Sequence, residues 1–95
     1  MVVGLATVDL YLAGVQGLKE KRGVVRRVLE RTRNRFPVSA AEVDHLDLHQ
    51  KATIGFAVVS NDARVADSIL NQVMDYVESL HLAEITRADL EILHV

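Results

Sequence analysis

Residues 51–70 read KATIGFAVVSNDARVADSIL, and the change of period inside this stretch decides the fold. Its first ten residues, Lys51 to Ser60, are dominated by β-branched and other apolar side chains, the composition of a strand. Ser60, Asn61 and Asp62 then supply the short oxygen-bearing side chains that cap helix N-termini. Beyond them Ala66, Ile69, Leu70, Val73, Val77 and Leu80 recur at three- and four-residue spacing, which predicts an amphipathic helix.

The same succession stands upstream. Residues 2–12, VVGLATVDLYL, read as a strand, and residues 13–17 as a loop. From Leu18 the period becomes helical: Leu18, Val25, Val28, Leu29, Thr32 and Phe36 fall on one stripe of a helix that Pro37 stops. Gly17 is placed as its N-cap, with Glu20 positioned to accept the cap's backbone N–H. Residues 38–47 form a further strand, Ala41 and Val43 on one face, Glu42 and Asp44 on the other. Asp44 to Gln50 turns the chain, and residues 84–95 close it with a strand that sets Ala88, Leu90 and Ile92 against Asp89 and Glu91. The order is β-α-β-β-α-β. This predicts an α+β, ferredoxin-like plait: two helices on one face of a four-stranded antiparallel sheet, with the first and third strands central.

Composition agrees with one such domain over residues 1–95. Ninety-five residues, 49% of them apolar, suffice for a single two-layer core but hardly for two. A formal charge of −2 with that apolar content excludes a disordered chain. No apolar run reaches the roughly 18–20 residues of a membrane span, and the basic-then-apolar order of a signal peptide is missing. The absence of cysteine excludes disulfides and thiolate chemistry and fits a cytoplasmic setting.

The small net charge conceals a strong polarity. Residues 19–35 hold eight of the eleven basic residues and only two of the thirteen acids. Lys19, Arg22, Arg26 and Arg33 line one flank of the helix's outer arc; Arg27, Arg31 and Arg35 line the other. Two cationic rows on one rod suit a phosphate backbone, so these seven are the candidate nucleic-acid-binding residues. The plain alternative is a solvated face, with Glu30 pairing to Arg26, Arg27 or Arg33 at helical spacing. The cations carry no aromatics between them, so they would grip phosphates with little means of reading bases.

Helices on one side leave the other sheet face open. In the first strand Val2, Ala6, Val8, Leu10 and Leu12 form the more uniformly apolar set and are turned toward the helices. In the third strand Ile54, Phe56 and Val58 alternate with Gly55, Ala57 and Val59, and either set could be core. An apolar patch left open signals an interface, here a homo-oligomer contact. Val3, Leu5, Tyr11, Ile54, Phe56 and Val58 are the candidate self-association residues. RNA-recognition modules stack bases on such a face, but Tyr11 and Phe56 are its only central-strand aromatics and Ile54 stands where another belongs.

His45, Asp47 and His49 alternate as metal ligands on a strand would, yet such triplets are common in polar turns, and no metal site or cofactor is expected. No nucleophile motif or glycine-rich phosphate loop is present. Asp9 alone could play the single metal-binding aspartate of a plait-fold nuclease, so the expectation is a non-enzymatic binding protein.

Three stretches together resemble the YlxP-like family of small bacterial proteins: Gly17 to Arg22, Val38 to Gln50, and Val59 to Asn61. The resemblance runs over essentially the whole chain and implies a ferredoxin-like fold. The frequent placement of such genes beside transcription and ribosome-maturation factors implies an RNA or ribosomal particle as partner. Gly17, Leu46 and His49 depart from the pattern, which has serine, glutamine and tryptophan there. The family supplies no catalytic residues to carry over.

Overall fold

A computed structural model describes all residues from Met1 to Val95. The elements are β1 (Val2–Tyr11), α1 (Leu18–Arg35), β2 (Ser39–Asp44), β3 (Lys51–Ser60), α2 (Ala63–Ser79) and β4 (Glu84–His94). They form one antiparallel sheet in the order β2-β3-β1-β4, with α1 over β2 and α2 over β1 and β3. This is the ferredoxin-like plait, with β1 and β3 at its centre.

The register of β1 on β3 decides which side chains meet the helices. Ala6 lies opposite Phe56, Val8 opposite Ile54 and Gly4 opposite Val58. Directly opposed residues of an antiparallel pair share a face. Because Ala6, Val8 and Leu10 are buried under the helices, Ile54, Phe56 and Val58 are buried with them. These three therefore belong to the core, packed with Leu29, Leu70 and Val73, and cannot form part of an open-face contact. Fully burying each contributes about 1.5–3 kcal/mol relative to exposure. On the open face Gly55, Ala57 and Val59 take their place.

Gly4 sets how closely α2 approaches the sheet. A Cβ there would stand 2.9 Å from Leu70 Cδ1 and 3.1 Å from Val58 Cγ1. On the opposite face a Cβ at Gly55 would stand 3.0 Å from Val43 Cγ1, so the missing side chain leaves room for Val43 to fold across the sheet.

Local signals are met with small differences. Asp62 caps α2, its side chain accepting from the Arg64 N–H at 2.9 Å. Gly17 begins α1 in extended conformation, but Glu20 accepts from the Gln16 N–H at 3.3 Å rather than from that of Gly17. Strand β2 is shorter than residues 38–47 because a turn begins at His45, whose φ is +60°. Ladder register shifts at two places, between Asp9 and Leu10 where β4 carries an extra residue, and between Glu42 and Asp44 in β2. Both bulges flank one rung, Asp9 opposite Thr53.

Candidate nucleic-acid interface

Helix α1 presents its polar arc outward because its stripe of Val24, Val25, Val28, Leu29 and Thr32 is buried. Thr32 satisfies its hydroxyl within the helix, donating to the Val28 carbonyl at 2.7 Å. Lys19, Arg22, Arg26, Arg27, Arg31, Arg33 and Arg35 are all exposed, as the wheel predicts. None is neutralised: the ion pairs of the chain are Lys21–Glu42, Arg64–Asp62 and Arg87–Asp89. Glu30 pairs with no neighbouring arginine. An 18-residue helix is about 27 Å long, so the seven cations form an extended rail.

Three of them have contacts within the chain, and Arg27 donates from Nε to the Gly23 carbonyl one turn back at 3.4 Å. Arg33 donates from Nη1 to the Ala40 carbonyl at 3.2 Å, joining α1 to β2. Arg35 lies over two rings, its guanidinium carbon 5.0 Å from the Tyr76 centroid and 6.0 Å from that of Phe36. The rings themselves meet edge to face, 5.5 Å apart at 69°. Together with Gln72 and Asp75 they border a cleft of about 640 Å³ between the end of α1 and the second half of α2. The row thus has aromatics after all, contributed by the helix end and by α2.

The eighth basic residue of the segment has a different fate. Lys21 is fully buried. Its Nζ donates to the His45 carbonyl at 2.6 Å and lies 2.8 Å from Glu42 Oε2, a charge contact rather than a directed hydrogen bond. Lys21 stands three residues after Leu18 and four before Val25, so its place on the buried stripe was readable from spacing alone.

On the other side of the sheet the His45 ring is also tied. Thr53 Oγ1 donates to Asp9 Oδ1 at 2.7 Å, and His45 Nδ1 lies 2.8 Å from the same hydroxyl. A hydroxyl has one proton, so with Asp9 as its acceptor the imidazole Nδ1–H is the donor to Thr53. Asp9 and His45 are thereby engaged in holding the β2–β3 turn. Asp47 and His49 lie apart from His45, beside Tyr11 around a shallow hollow. No three His, Cys, Asp or Glu side chains gather closely enough to hold a metal ion.

The open sheet face keeps Val3, Leu5 and Tyr11 from the anticipated set, the first two half-buried and Tyr11 41% exposed. Val43 and Val59 were missed there, at 54% and 67% exposed. A groove of about 360 Å³ runs between Leu5, Ala41, Val43, Gly55 and Ala57. No helix is long and apolar enough to cross a membrane.

By fold this is a ferredoxin-like α+β protein. It belongs to the family described as a protein of unknown function, DUF503, whose model matches residues 3–90. It is 32% identical over 90 residues to the uncharacterised protein YlxP of Bacillus subtilis strain 168, covering 93% of this chain and 98% of that one. Among solved structures, a de novo designed protein with ferredoxin fold superposes with a TM-score of 0.55 at 11% identity, over 98% of this chain and 83% of the other. At3g17210 of Arabidopsis thaliana does so at 0.52 and 13%, over 98% and 94%. At such identity these likenesses speak to the fold alone.

Proposed function

We propose that the protein binds RNA, free or within a ribosomal particle, and that α1 grips phosphates without catalysis. The observation that carries this reading is the row of seven exposed cations with no carboxylate partner. Arginine offers its fork of donors to phosphate oxygens, and guanidiniums that no carboxylate engages keep most of those donors free for binding. RNA is preferred over other polyanions because of the family resemblance. The reading is tested by titrating a short RNA against the protein at several salt concentrations. Affinity should fall steeply and linearly on a log–log plot. Salt-independent binding, or none at low salt, defeats the reading.

A second reading concerns assembly. The apolar groove and the exposed Val43 and Val59 favour contact between two copies of this chain through their open faces. The arginines lie on the helix layer, so they do not oppose such an approach by like-charge repulsion. Light scattering that shows a monomer at high micromolar concentration excludes it.

A further inference from the structure

The cleft between Arg35, Phe36 and Tyr76 lies outside the phosphate rail yet is continuous with it. Arg27, Arg31 and Arg35 succeed one another at four-residue spacing down one flank of α1, and the last of them enters the cleft. Phe36 and Tyr76 are half-buried, so each keeps part of its ring accessible. Arg35 over Tyr76 offers a flat cationic surface beside two aromatic ones. Asp75 adds a carboxylate that forms no ion pair, on the same cleft as the Arg35 cation. One cation and one carboxylate leave the cleft without the surplus positive charge of the rail, which suits a neutral flat group with hydrogen-bond donors on its edge. The volume falls within the range of small-molecule sites.

We propose that this cleft is a base-stacking pocket, which receives an unpaired nucleobase of an RNA strand whose phosphates run along Arg27 and Arg31. Stacking on an aromatic ring or a guanidinium plane requires a base free of its duplex, so the pocket selects single-stranded segments, loops or ends. Asp75 at the rim accepts from amino or imino groups of the base, and guanine alone offers both side by side on one edge, so guanine is favoured. The proposal rests on the reading of α1 as an RNA face and adds to it the kind of RNA.

The experiment compares a short single-stranded RNA with a blunt duplex of the same sequence, using the whole chain and fluorescence anisotropy. Tyr76→Leu keeps an apolar side chain against Phe36 but removes the ring. It should weaken single-strand binding roughly 5- to 150-fold while leaving duplex binding within about two-fold. Tyr76→Phe should bind as wild type. An unchanged single-strand affinity, or an equal loss on both RNAs by a folded Tyr76→Leu protein, overturns the proposal. Should that variant not fold, ultraviolet cross-linking of a 6-thioguanosine-containing single strand to the unaltered protein decides. Adducts at Phe36 or Tyr76 support the pocket, and adducts confined elsewhere overturn it. Arg27→Glu with Arg31→Glu separates the two readings: if it leaves both affinities unchanged, the phosphate rail itself is refuted.

Discussion

Lys21 Nζ and the carbonyl oxygen of His45 lie 2.6 Å apart, joining the first turn of α1 to the start of the β2–β3 turn. His45 has φ +60°, a backbone conformation that costs a non-glycine residue roughly 1–2 kcal/mol. The ammonium secures that residue's carbonyl from the helix side, while Thr53 and Asp9 secure its ring from the open side. One turn residue is thus fastened on both faces of the sheet.

Removing the ammonium should be costly. Lys21→Ala leaves the partly covered Glu42 carboxylate without its counter-charge and opens space under α1. A loss of about 3–5 kcal/mol is expected in urea unfolding. Lys21→Met combined with Glu42→Gln should recover most of it, since neither side chain then carries a buried charge. A double variant no more stable than Lys21→Ala would show that the hydrogen bond to His45 matters more than the ion pair.

Thr53→Val tests the other half of the fastening. The hydroxyl serves His45 and Asp9 together, and Thr53 is buried. Its removal should cost about 1–3 kcal/mol, with faster amide exchange confined to residues 44–50. Unchanged exchange there would mean that Lys21 holds the turn alone.

The two faces of β3 predict opposite outcomes for one kind of change. Phe56→Glu places a charge in the core beneath α1 and α2 and should unfold the domain. Val59→Glu should leave circular dichroism and thermal midpoint nearly unchanged. If copies associate through the open face, it should also shift light scattering toward the monomer. A folded Phe56→Glu protein would contradict the β1–β3 register.

The rail predicts a particular salt signature. Arg26, Arg27, Arg31 and Arg33 each changed singly to Ala should lower the log-affinity against log-salt slope by roughly 0.7–0.9. The quadruple change to Glu should abolish tight binding to every sequence alike, with the fold kept because these side chains lie off the buried stripe. Wild-type affinity in the folded quadruple variant would leave α1 a solvated face.

The plait was legible because each element declares its own period: alternation in the strands, a three-to-four repeat in α1 and α2. The inward face of β3 was not, because Ile54, Phe56 and Val58 are matched by Ala57 and Val59 one residue out of phase. Only Ala6 opposite Phe56, a pairing across fifty positions of chain, resolves it. The outward cations were legible from the helical wheel, and so was the inward position of Lys21, but not what meets its charge there. Its counter-charge stands on a strand far along the chain. The cleft at Tyr76 was invisible for a similar reason: Phe36 reads as the end of one stripe, Tyr76 as a neighbour of Val77, and only packing of α1 on α2 brings them together.

The two bulges beside the Asp9–Thr53 rung bear on the growth of assemblies. Each lies on an outer strand, β2 or β4, where another chain could otherwise continue the hydrogen-bond ladder. A bulge breaks the even spacing of the ladder and sharpens the local twist, so an incoming straight strand finds only part of the edge in register. Open-ended stacking of sheets into fibrils is discouraged at both margins. If copies of the chain associate, the broad face is the surface that these bulges leave unobstructed.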